Sequence, residues 1–93
     1  LAAAPEGVQG YFYRSSGGAE IDLLLAWPDG ALWVVEIKRS LSPKLERGFH
    51  AACTDLKPAR KLVIYPGDEH YRLAADVDVM NLLAAADMIA SAE

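Results

Sequence analysis

A proline-aspartate-glycine turn between two alternating strands constrains this chain more than any other feature. In "GGAEIDLLLAWPDGALWVVEIKRS", residues 17 to 40, two apolar, β-prone runs flank Pro28, Asp29 and Gly30. Proline presets φ at the first turn position and glycine accepts the left-handed conformation at the last. Together they predict a three-residue hairpin loop with Trp27 facing Ala31. Antiparallel pairing then sets Leu25 opposite Trp33, Leu23 opposite Val35 and Ile21 opposite Ile37 on one wholly apolar face. On the other face Ala26 meets Leu32 and Leu24 meets Val34. Beyond them Asp22 falls opposite Glu36, and Glu20 opposite Lys38. A two-residue loop would set Asp22 against Ile37 and scramble both faces, so the alternation and the loop agree.

Two carboxylates directly across a strand pair repel, at a cost of up to about 1 kcal/mol relative to neutral partners. A divalent cation would offset this, because magnesium prefers oxygen ligands and often takes one or two carboxylates with water and phosphate oxygens. Lys38, two residues beyond Glu36, points to the same face, where its ammonium can polarise a bound water or stabilise charge developing on a phosphate. That set of groups suits phosphodiester cleavage. The same residues also fit an amphipathic hairpin whose polar end holds a Glu20–Lys38 ion pair and two solvated acids. Spacing alone leaves both readings open.

The rest of the chain bounds the class. Its 93 residues, 53% hydrophobic and 24% charged, suit one small domain with a modest core rather than a disordered segment. No apolar run approaches the roughly 18 to 20 residues that span a bilayer, and no basic segment leads into an apolar one, so the expectation is a cytoplasmic protein without membrane contact. The chain opens on Leu1-Ala2-Ala3-Ala4-Pro5 without a methionine. A piece of a longer protein is therefore expected, with residues 1–7 a flexible lead-in. A single cysteine, Cys53, makes neither an internal disulfide nor a cysteine-based zinc site. The net charge of −4 argues against indiscriminate nucleic-acid binding, but residues 38 to 61 hold seven Lys or Arg against two acids, Glu46 and Asp55. Such a basic segment fits either a phosphate-facing side or a solvated helix of mixed charge.

The hydrophobic pattern predicts strands near 8–14, 19–27, 31–38, 61–65 and 76–80, helices over 43–56 and 81–91, and a short edge strand around Tyr71 to Leu73 after the turn at Pro66-Gly67-Asp68. Ser42 suits the N-cap and Pro43 the first position of the first helix. Leu45, Phe49, Ala52, Cys53 and Leu56 recur there at helical spacing, and Pro58 stops it. His50 shares the polar stripe with Arg47, Thr54 and Lys57, and His70 has no partner at ligand spacing, so neither points to zinc. Cys53 reads as a buried thiol, Trp27 and Trp33 as packing residues, and Tyr11-Phe12-Tyr13 as a strand rather than a base-stacking platform. Gly17 and Gly18 permit the bend into the acidic strand.

Asp22 followed, after thirteen intervening residues, by Glu36-Ile37-Lys38 resembles the PD-(D/E)XK pattern of restriction-endonuclease-like nucleases. The longer stretches "GGAEIDLLL", "WVVEIKRSLSPKLERGFHAACTDLKP" and "KLVIYPGDE" resemble the C-terminal nuclease-like domain of bacterial and archaeal P-loop ATPases of the AAA superfamily, over about residues 8 to 83. The resemblance implies an α/β fold, a mixed sheet flanked by helices, and a covalently linked ATPase domain; no P-loop sequence occurs within these residues. It implies Mg2+, or Mn2+, held by Asp22, Glu36 and the Ile37 carbonyl, with Asp22, Glu36 and Lys38 catalytic. Glu20 belongs to the family pattern and is an accessory candidate, while Arg39, Lys44 and Arg47 are candidate phosphate contacts on DNA or RNA. Members normally carry a helix ahead of the first core strand that supplies another acid. Leu1 to Gly7 is too short and proline-broken for that helix, and Glu6 is a poor substitute. The alternative is a catalytically inactive interaction or DNA-docking module of the same fold. A homodimer is compatible with either.

Overall fold

The computed structural model describes residues 6–74 and 76–92. Its elements follow the chain as β1 (Gln9–Arg14), β2 (Glu20–Ala26), β3 (Leu32–Ile37), α1 (Arg47–Leu56), β4 (Arg60–Ile64), β5 (Tyr71–Ala74), β6 (Val77–Met80) and α2 (Leu82–Ser91). The expected flexible lead-in lies, over residues 1–5, outside the described residues. The strands form one six-stranded mixed sheet in the order β1-β2-β3-β4-β6-β5. β1, β2 and β3 are successively antiparallel, β3, β4 and β6 run parallel, and β5 returns antiparallel at the edge. No described helix is long and apolar enough to cross a membrane.

The two helices cover opposite faces because β3 alternates strictly. Val34 joins Ile21, Leu24, Phe49, Ala52 and Cys53 under α1, whereas Trp33 and Val35 join Leu25, Leu62, Met80, Ala85 and Ile89 under α2. Beyond the reach of α1, Leu45 closes over Val63, Val77 and Val79. The hairpin loop has the expected form. The Trp27 amide donates to the Ala31 carbonyl at 2.9 Å, the Gly30 amide donates to the Trp27 carbonyl at 2.9 Å, and Gly30 sits at φ +92°. The register follows: Leu23 pairs with Val35, Leu24 with Val34, Leu25 with Trp33 and Ala26 with Leu32.

Three expectations change. First, Ile21 does not join Ile37 on one apolar face; Ile21 is buried under α1, while Ile37 is 56% exposed. The cause is a bulge in β2: Tyr11 pairs with Leu24 and Tyr13 with Ile21, so Asp22 and Leu23 together stand against Phe12. An extra residue shifts the alternation by one, which turns Ile21 to the face of Leu24. Second, α1 begins at Arg47, not at residue 43, with Glu46 at its N-cap and no side-chain cap bond. Pro43 is buried instead, Leu45 reaches the clusters on both sides of it, and the Ser42 amide donates to the Ser40 hydroxyl. Burial of these two apolar side chains outweighs the local capping preference. Third, Glu20 pairs with Arg14 at 3.3 Å rather than with Lys38.

One contact fixes where α1 starts. A Cβ at Gly48 would lie 2.8 Å from the Gly18 carbonyl oxygen, so the first turn of the helix rests directly on the β1–β2 turn. Only glycine allows that approach.

Candidate active site

Matched pairing of β2 with β3 ends at Leu23–Val35, and at the next step side chains take over from the ladder. The Asp22 amide donates to Glu36 Oε1 at 3.3 Å, and the Ile37 amide donates to Asp22 Oδ2 at 2.9 Å. Each carboxylate thus reaches across to the backbone of the opposite strand. Asp22 sits within the bulge, whose local kink turns its side chain into this opening.

Among the described residues Glu36 is the one charged residue that is buried, 8% exposed in an otherwise mostly apolar interior. Burial, and then the neighbouring Asp22 carboxylate, push its pKa up from 4.5 to about 7, against the opposing pull of the Asp22 amide and of Lys38. Lys38 Nζ stands 3.8 Å from Glu36 Oε2 and 3.4 Å from Glu46 Oε1. Asp22, Glu36 and Lys38 therefore converge, as their spacing predicts.

The other candidates divide. Ile37 brings its amide, not its side chain, to Asp22. Arg39 and Lys44 line a hollow of about 340 Å³ with Lys38, Ser40, Ser42 and Glu46, whereas Arg47 is exposed at the start of α1 and outside that lining. Glu20 lines a different hollow of about 480 Å³ with Phe12, Tyr13, Arg14 and Asp22. Glu46 was not among the candidates. Its placement depends on where α1 begins, and the helical pattern alone sets that boundary too early. His50 is exposed, and Cys53 is buried with its pKa raised by that burial. His70 Nε2 lies 3.9 Å from Asp78, a carboxylate that also meets Arg72 at 3.3 Å and Arg60 at 3.9 Å.

A cation implied by the family resemblance can be judged against these groups. Among the described residues no set of three or more His, Cys, Asp or Glu gathers to hold a metal; the carboxylates of Asp22 and Glu36 are neighbours. Two carboxylates with water and phosphate oxygens are a usual magnesium donor set, and the repulsion that raises Glu36 is what a cation would relieve. The residues present fit a weakly held hard cation.

A small mixed α/β domain with an acid pair and a lysine at the open end of a hairpin is the class these observations define. Comparison with known proteins supplies the family: the chain belongs to DUF4143, a domain of unknown function, whose model matches residues 1–85. Uncharacterised proteins of Mycobacterium bovis and Mycobacterium tuberculosis are each 34% identical over 67 residues, 72% of this chain and 15% of theirs. A UPF0102 protein of Cupriavidus taiwanensis is 37% identical over 59 residues, 63% of this chain and 41% of its own length. The chain thus spans a small part of the mycobacterial relatives it matches. No solved structure matches it.

Proposed function

We propose that this domain is a PD-(D/E)XK nuclease-like module with a restriction-endonuclease-like fold, acting in the cytoplasm on nucleic-acid phosphodiesters and linked in its full-length protein to an ATPase domain. The observation that carries the reading is the convergence of Asp22, Glu36 and Lys38 where β2 and β3 part, with one carboxylate held near neutrality. Structural acids on strands are normally solvated or fully paired, and Glu36 is neither.

Asp22 and Glu36 would hold Mg2+ or Mn2+, joined by the Ile37 carbonyl. When bound, the cation would supply Lewis-acid polarisation of a phosphate oxygen and a more acidic water. Lys38, restrained between Glu36 and Glu46, places a positive charge where negative charge develops on the phosphate. Arg39 and Lys44 line the hollow beside it and would meet the flanking backbone.

A second reading has its own support. The Asp22 carboxylate already accepts the Ile37 amide, and among the described residues only two acids gather, which suits a docking module that keeps the fold without cleaving. Manganese titration by calorimetry separates the two. Binding lost in both Asp22→Asn and Glu36→Gln, but kept in Lys38→Ala, supports the nuclease site; Lys38→Ala should then suppress any metal-dependent cleavage of DNA or RNA. Absence of binding at millimolar manganese, in this chain and in the full-length protein, leaves the docking module.

A further inference from the structure

Open sheets with parallel strands bind ligands beyond the carboxyl ends of those strands, and β3 and β4 end side by side at the acid pair. The Lys38 amide donates to the Ile64 carbonyl at 2.9 Å, which carries the register of Glu36–Val63 and Ile37–Ile64 one step further and sets Tyr65 beside Lys38. Their side chains share a face. Lys38 follows Glu36, 3.8 Å from its carboxylate, and Tyr65 packs with Val63 and Leu45 on the side that α1 covers. Adjacent strands lie only about 5 Å apart. Beside Lys38, Tyr65 borders a hollow of about 550 Å³ lined also by Leu41, Gly67, Asp68, Glu69 and Tyr71. Leu41, 69% exposed, stands between Ser40 and Ser42 of the basic loop hollow, so one short loop borders both. The frame of the larger hollow is fixed. The Tyr65 hydroxyl donates to the Glu69 carbonyl at 3.1 Å and accepts the Glu69 amide at 3.0 Å, and the Tyr71 ring meets Tyr65 edge-on. A Cβ at Gly67 would lie 2.5 Å from the Tyr65 ring, so only glycine lets the turn close this near.

Charge changes sign across Leu41. On one side Lys38, Arg39 and Lys44 outnumber Glu46; on the other stand Asp68 and Glu69, both exposed, with the half-buried Tyr71 ring. A nucleotide has the same asymmetry. Its phosphate seeks cations, while its base offers a flat face to an aromatic ring and polar groups along its edge. A carboxylate accepts a hydrogen bond from an exocyclic amino group and repels a carbonyl oxygen at the same position. In a duplex those faces and edges are already engaged, so only an unpaired or extruded base can use such a hollow. We propose that the hollow takes an unpaired base with an exocyclic amino group, such as cytosine, stacked at Tyr71 and Leu41, its amino group on Asp68 or Glu69 and its phosphate beside Lys38. The inference rests on the nuclease reading above and adds which base lies next to the phosphate at the acid pair.

The test is fluorescence anisotropy of labelled single strands of oligodeoxycytidine and oligodeoxyuridine at pH 8, with calcium replacing magnesium to block cleavage. The two carry the same phosphates and differ at the base edge, so the ratio of their affinities reads the base alone. Oligodeoxycytidine should bind about five- to tenfold more tightly, the worth of a base-edge contact. Asp68→Asn combined with Glu69→Gln should bring the ratio close to one. Tyr71→Leu, which keeps apolar bulk without the flat ring, should weaken both strands roughly 5- to 100-fold, and Tyr71→Phe should restore them. Leu83→Ala, which removes an apolar side chain on α2 that is 78% exposed, should change neither. Equal binding of the two strands by the wild type, binding of neither, a ratio that survives the double substitution, or a Tyr71→Leu affinity matching that of Leu83→Ala overturns the proposal. Manganese calorimetry without nucleic acid keeps the two readings apart. Metal bound by Asp22 and Glu36 without base preference removes the base hollow alone, whereas no metal binding removes the nuclease reading.

Discussion

Two acids in this sheet are buried to nearly the same degree and live in opposite company. The side chain of Asp78, on β6, is 15% exposed and has Arg72, Arg60 and His70 within 3.3 to 3.9 Å. That of Glu36, on β3, is 11% exposed and faces a second carboxylate, with one lysine 3.8 Å away that it shares with Glu46. Desolvation acts on both, so burial alone does not distinguish a structural acid from a functional one. Compensation does. Asp78 is surrounded by donors that belong to the fold, while Glu36 is left short of positive charge by the fold itself.

The sharpest way to break the comparison is to remove the uncompensated charge. Between pH 4.5 and about 7 folded Glu36 holds a proton that the unfolded chain has released, so stability falls as pH rises through that window. The total is on the order of 3 kcal/mol. Glu36→Gln should erase this slope and leave the variant more stable than wild type by about that amount at pH 8, measured by urea unfolding across the pH series. Parallel pH profiles would remove the argument. Next in size is cation linkage. At pH 8, manganese at ten times its dissociation constant should stabilise the wild type by about 1.4 kcal/mol, or several degrees in thermal unfolding, and Glu36→Gln should not respond.

Asp78→Asn offers the contrast. Its arginine partners are largely exposed, so the loss should be about 1 kcal/mol, should shrink in high salt, and should leave the manganese response intact. The smallest effect belongs to Glu46→Gln. Its carboxylate is 78% exposed, and stability should change by no more than about 0.5 kcal/mol. Lys38 would then serve Glu36 alone, so carbon-detected NMR should show the Glu36 titration moved to lower pH. An unmoved midpoint would mean that Glu46 has no hold on the lysine.

The hairpin, its loop and the meeting of Asp22 with Glu36 were legible because period-two alternation and turn chemistry are local rules, and both pointed to one register. The parallel β3–β4 pair and the face α1 buries followed from similarly local patterns. What escaped depends on packing. The bulge at Asp22–Leu23 leaves no local mark, since Ile21 is apolar and fits either face until the sheet is assembled. The start of α1 was misplaced because Ser42-Pro43 carries a capping signal that burial of Pro43 and Leu45 overrides. Glu46 as the partner of Lys38, and Arg14 as the partner of Glu20, depend in turn on those two features.

The closed end of the hairpin has an optical consequence. Both tryptophans of the chain lie there, their rings 4.6 Å apart and the Arg60 guanidinium 5.1 Å from the centroid of Trp33. Indoles this close couple their electronic transitions, which gives the folded hairpin a circular-dichroism couplet that vanishes when the strands separate. Their emission reports melting of the sheet but is remote from Asp22 and Glu36, at the other end of the same two strands. Intrinsic fluorescence should therefore stay silent during a cation titration that calorimetry detects. An indole placed at position 12 would give the open end a signal of its own, read against a constant background from Trp27 and Trp33.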